Sequence, residues 1–214
     1  NSSTSTGRLT VVSGPNILTA PSGIRKCLTS SFEGGKILQV DIVAAEPKFA
    51  LHFYKDNESS IPADVYKDIS EKVFSDKLSR NQIKIATLCA LYGQSSSKLA
   101  TQLPYGMSAN EVVASIKKYF GINDLYKKLE YEYMNGELTN YLGRPLNPTD
   151  KGLLISYFLQ SSVAEASILM FKKFCEENKE IIPYYIIHDA LIIDAPPSFL
   201  SRISDDGFLD LFFN

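Results

Sequence analysis

Tyr184-Tyr185-Ile186-Ile187-His188-Asp189-Ala190-Leu191-Ile192-Ile193 is the stretch on which the fold turns. Two apolar runs flank His188-Asp189-Ala190, so the segment from Tyr184 to Asp194 reads as a β-hairpin with that tripeptide at its turn. A carboxylate at the tip of a buried strand is costly unless something cationic shares its site. A second such carboxylate, Asp41, ends the run Lys36-Ile37-Leu38-Gln39-Val40, which the Glu33-Gly34-Gly35 turn feeds. Two acids far apart in sequence, each on a core strand, point to a shared divalent metal.

The residues between these strands carry helical signals. Helices are expected over Glu46 to Tyr54, Asp64 to Phe74, Arg80 to Tyr92, Asn110 to Phe120 and Ile122 to Tyr133. Ser79 caps the third of these and Gly93 ends it. Asn147-Pro148 is expected to open a long helix that runs to about Asn178, with a short ribbon between Gly136 and Leu142. The polar segment Asn1 to Gly7 reads as extended or mobile. Strands at both ends enclosing a helix-rich middle predict an α+β fold.

Composition bounds the function without naming it. The 214 residues suit one large domain or two small ones. A net charge of −2 announces no nucleic-acid binder, so any basic surface is local. Cys27, Cys89 and Cys175 show neither disulfide nor zinc spacing, which fits an intracellular, reducing compartment. No apolar run is read as long enough to cross a membrane, and no membrane partner is expected.

Arg80, Lys84, Leu88 and Tyr92 recur every fourth residue, so they share one stripe of their helix. Arg offers a bidentate fork and Lys a point charge, a pair suited to a triphosphate. Leu88 and Tyr92 offer an apolar wall to a base. Taken singly, each feature has a plainer reading: the stripe as a solvated face, Asp41 as a turn residue, Glu46 as a helix-start carboxylate. Taken together, two acids for metal and two cations for phosphate are the parts of phosphoryl transfer from a nucleotide.

In order and spacing these segments resemble the polymerase motifs of family A DNA polymerases. Asp41-Ile42-Val43-Ala44-Ala45-Glu46-Pro47-Lys48 resembles motif A, Arg80 to Gly93 motif B, and His188-Asp189-Ala190 motif C. Thr6-Gly7-Arg8-Leu9 with Pro15-Asn16, Asp64 to Phe74, and Gln160 to Glu165 resemble three weaker flanking segments. The resemblance implies an antiparallel palm sheet with helical fingers, and no thumb. It implies an N-terminal palm segment over 1–63, fingers over 64–143 and a C-terminal palm segment over 144–214.

The resemblance also implies roles. Asp41 and Asp189 would hold two Mg²⁺ ions (Mn²⁺ is a possible substitute), with the Ile42 carbonyl completing a site. Arg80 and Lys84 would bind the triphosphate, Lys84 being counted with the two aspartates as catalytic. Leu88 and Tyr92 would line the nucleotide pocket, and Glu46 would exclude a 2′-hydroxyl. Arg8, Gln160 and His188 would contact primer-template DNA in the minor groove. The expected partners are primer-template DNA, dNTP and a thumb-bearing segment or separate chain. The sequence departs from the family at motif C, where Ala190 replaces the usual glutamate, and at Leu88, Ser156 and Gly152. A single-subunit-type RNA polymerase shares the aspartates and the Arg80–Gly93 pattern; Glu46 and Gly7-Arg8-Leu9 favour DNA synthesis. A degenerate palm that binds DNA or a partner without catalysis is the non-enzyme alternative.

Overall fold

A computed structural model describes residues 4–11, 13, 23, 27–54, 61–187 and 189–203. The architecture is α+β, with an antiparallel three-stranded sheet and a majority of helix. It divides into two compact units, Asn1–Val43 with Ser161–Asn214, and Ala44–Gln160.

The first unit holds the sheet. Strand β1 is Lys36–Asp41, β2 is Ile182–Ile187 and β3 is Ala190–Ala195, in the order β1-β3-β2. Both pairings are antiparallel, and the expected hairpin is β2–β3. The central strand β3 is buried at all six positions, as its apolar run from Ala190 to Ile193 leads one to expect. Ile193 and Ala195 are fully buried, and the ring of Phe174 meets that of Phe199 edge-on at 6.1 Å.

A buried carboxylate pins this unit's N-terminal segment to the sheet. Asp194 on β3 accepts hydrogen bonds from the Ser31 N–H and hydroxyl, both at 2.7 Å, and from the Tyr184 hydroxyl at 3.0 Å. The Ser30 hydroxyl donates to its other oxygen. Burial pushes the Asp194 carboxyl up, but the Ser30, Ser31 and Tyr184 donors outweigh it and hold the pKa at about 2. Gly35 lets the chain pass this close. A Cβ there would lie 2.7 Å from the Ala195 carbonyl oxygen and 2.8 Å from Phe32 Cβ.

The second unit is helical: α1 is Ala45–Tyr54, α2 Val65–Phe74, α3 Arg80–Tyr92, α4 Ser97–Ala100, α5 Ala109–Tyr119 and α6 Ile122–Met134. Asp64 caps α2, and Ser79 with Gln82 forms a full capping box on α3. Gly93 ends α3 in the left-handed region at φ 64°. Ile69, Ile83, Ile116 and Leu129 are fully buried, each burial contributing on the order of 2 kcal/mol. The Tyr119 hydroxyl donates to Asp68 at 2.6 Å, tying α5 to α2. Burial, and then the Asp68 carboxylate, raise the Tyr119 pKa well above the ordinary tyrosine value.

Four expectations need correction. Thr4 to Arg8 is a tight turn rather than an extended tail: the Gly7 N–H bonds the Thr4 carbonyl at 2.8 Å, and the Arg8 N–H bonds Thr4 Oγ1 at 3.1 Å. The long helix α7 is Leu154–Glu177, preceded by a 3-10 turn over Lys151–Leu153. Asp150 caps that turn through the Gly152 N–H at 2.6 Å, so Asn147-Pro148 lies before the helix and not within it. Against the reading from sequence, the 27-residue stretch Lys151–Glu177 is long and apolar enough to cross a membrane by length and composition. A core helix of a globular protein passes the same test. Leu154, Phe158 and Leu159 are buried in the helical unit's core, and Ser161, Ser162 and Ser167 are buried further along. The short ribbon reduces to one bridge, Thr139 with Pro145.

Candidate functional site

The sheet brings Asp41 and Asp189 to one end. Asp41 pairs with Ala190 as the last position of the β1–β3 ladder. The next backbone bond runs from the Ile42 N–H to the Asp189 carbonyl at 3.2 Å. Asp189 lies in the turn between β2 and β3, outside the strand alternation that directs Asp41. Both aspartates are half-buried, Ile42 is buried, and Ala190 is 3% exposed. Among the described residues, no group of three or more His, Cys, Asp or Glu side chains gathers to hold a metal. Two carboxylates and a backbone carbonyl are all oxygen donors, a set that suits Mg²⁺ completing its shell with water and substrate phosphate.

Just after this strand end, Ala44 has φ 52°, a conformation that costs a non-glycine residue about 1–2 kcal/mol. It accepts the Lys48 N–H at 2.9 Å and so begins α1, with Glu46 half-buried in the first turn.

The helical unit carries the cationic stripe. Arg80 and Lys84 are exposed on the first turns of α3, while Leu88 and Tyr92 are half-buried further along it. Tyr92 packs against the helical core. Lys84 has no ion-pair partner among the described residues. Arg80 is held: its Nε–H donates to Asp64 Oδ2 at 3.0 Å, and its guanidinium stands 5.0 Å from the centre of the Tyr66 ring. Burial raises the Asp64 pKa, but the hydrogen bond from Arg80 and those from the Lys67 and Tyr66 N–H groups bring it below the ordinary value.

Of the expected minor-groove residues, Arg8 borders a small cleft with Leu9, Ala164, Ile168 and Ile186 in the first unit. Gln160 is half-buried on α7, at the last position of the second unit. His188, like Pro15-Asn16, lies outside the described residues. The structure therefore assembles Asp41, Ile42 and Asp189 in one unit, and Arg80, Lys84, Leu88 and Tyr92 along one helix of the other. Sequence reasoning missed Asp64 and Asp194. The first was read only as a helix start; the second draws its Ser30 and Ser31 donors from more than 160 positions away.

A comparison with protein-family models returns no match, and a comparison with curated protein sequences returns none. Among solved structures, the chain is similar to the POL domain of Pol1 from M. smegmatis, in complex with DNA primer-template and dNTP. The TM-score is 0.69 at 18% identity, over 93% of this chain and 41% of the other. This chain therefore has the fold of part of that polymerase domain, and the likeness to family A palm and fingers read from the motifs is a likeness of fold.

Proposed function

We propose that this chain is a palm and fingers module of a family A DNA polymerase, transferring deoxynucleotides from dNTP to a primer 3′-hydroxyl on a DNA template. The observation that carries the reading is the meeting of Asp41 and Asp189 at one end of a sheet, within a fold shared with a polymerase domain.

Asp41, Asp189 and the Ile42 carbonyl would hold two Mg²⁺ ions, which would supply Lewis-acid activation of the primer hydroxyl and charge neutralisation at the leaving pyrophosphate. Arg80 and Lys84 bind the triphosphate oxygens. Leu88 and Tyr92 line the nucleotide pocket. Glu46 excludes a ribose 2′-hydroxyl. Arg8, Gln160 and His188 contact the minor groove, whose degenerate acceptors report pair shape rather than sequence. A thumb-bearing segment or separate chain supplies the grip on duplex DNA.

Primer extension with each dNTP and Mg²⁺, with and without a thumb-bearing partner, tests this. Template-dependent addition is expected. Absence of extension under every condition, together with absence of dNTP binding, would overturn it. The second reading, a palm that binds without catalysis, is favoured by one observation: Ala190 stands in motif C where a glutamate is usual. Nucleotide binding without extension would select it.

A further inference from the structure

The contact between Asp64 and Arg80 is not needed to hold the helical unit together. The two side chains are 38% and 55% exposed, and solvent-exposed pairs of that kind contribute little to stability. The cation–π contact with Tyr66 adds little more at such an exposed site. Direction is what the contact fixes. Both carboxylate oxygens of Asp64 are committed. Oδ1 accepts the Tyr66 and Lys67 N–H groups at 3.0 and 3.2 Å, while Oδ2 accepts Arg80 Nε–H at 3.0 Å.

The consequence for Arg80 is geometric. A guanidinium has five N–H donors in one plane. With Nε–H taken and the guanidinium carbon 5.0 Å from the centre of the Tyr66 ring, the group is held at two points. The two terminal amino groups have no hydrogen-bond partner among the described residues. They form an end-on fork that matches two oxygens of a phosphate. Lys84 lies one helical turn on, exposed and without an ion-pair partner among the described residues. A free arginine surrenders considerable rotamer entropy when it grips a ligand; one already held surrenders less.

We propose that Asp64 and Tyr66 form a socket that orients Arg80 for a bidentate grip on an oligophosphate, so that Asp64 is a positioning residue for nucleotide binding. This rests on the nucleotide reading above.

The test uses Asp64→Ser. Serine caps a helix about as well as aspartate but is too short to reach Nε. Inorganic tripolyphosphate and dNTP, each with Mg²⁺, are titrated calorimetrically into wild type and variant, alongside thermal melts. Asp64→Ser is expected to bind both ligands about three- to ten-fold more weakly with its melting temperature unchanged. Asp64→Asn, which keeps the cap and a neutral acceptor, is expected to fall between. It replaces Asp64→Ser in the comparison if the latter melts earlier. In an Arg80→Lys background the same change is expected to do nothing. The Arg80 Nε–H resonance should exchange slowly with solvent in wild type and quickly in Asp64→Ser.

Binding by wild type that is equalled or exceeded by the variant overturns the socket alone, tighter binding meaning that Asp64 competes with phosphate. A wild type that binds neither ligand overturns the nucleotide reading and the socket together.

Discussion

Asp41 and Ala190 face each other as the last pair of the β1–β3 ladder, so a methyl group stands opposite the first carboxylate of the proposed metal site. A glutamate at that position would add a third acid beside Asp41 and Asp189. With alanine there, Asp41 and Asp189 are the two acids left to the proposed metal site. Loss of either should therefore be severe.

Asp189→Asn removes charge and keeps volume. It is expected to abolish primer extension, and Asp41→Asn likewise, with stability changed by no more than about 0.5 kcal/mol. Extension assays beside urea melts check both halves of the expectation. Residual extension near wild-type rate would remove these residues from the catalytic centre.

Glu46 occupies the first turn of α1, five residues after Asp41 in sequence. Glu46→Ala is expected to raise ribonucleotide incorporation relative to deoxyribonucleotide by about ten-fold or more. Competition between rNTP and dNTP on one template measures the ratio. No change would favour the RNA polymerase alternative.

The Asp194 clamp gives stability a pH dependence. Its folded pKa, about 2, lies below the ordinary 3.8, so the clamp contributes fully above the ordinary value and loses its contribution as pH falls toward 2. Wild type is expected to exceed Asp194→Asn in denaturation midpoint at neutral pH, with the gap narrowing below about pH 4. A gap that stays constant down to pH 2 would show that the carboxylate is not held by these donors.

Thr87 sits on α3 at 0% exposure, and its buried hydroxyl has no hydrogen-bond partner among the described residues. Thr87→Val keeps shape and has a similar helix propensity. It is expected to stabilise the protein by about 1 kcal/mol, because an unsatisfied buried hydroxyl carries a desolvation penalty. Urea denaturation reads this directly, and a loss of stability would mean that the hydroxyl has found a partner in solution.

What the sequence disclosed was local chemistry. Ser79 and Gly93 mark the two ends of α3 because capping is decided within one turn of chain. The hairpin was legible because two apolar runs flank a polar turn. The start of α7 was misplaced because Pro148 and Asp150 both favour helix starts, and only the Asp150 bond to the Gly152 N–H shows which one acts. Asp64 was harder still. Its capping role satisfied the local pattern, so nothing in the sequence asked for a second bond to Arg80, 16 positions on. Asp194 looked like the end of a strand, since its donors Ser30 and Ser31 are brought to it only by the sheet.

Asp64 closes α2 and holds Arg80 with the same carboxylate. For a protein engineer this makes position 64 a blind spot. Ser, Thr, Asn and Asp interchange readily at helix starts, and a library ranked on heat resistance would pass all four. Only aspartate brings a second, fully charged oxygen. Redesign guided by melting alone would drift toward a sound helix with a slack guanidinium. The defect would surface only when the screen also weighed substrate.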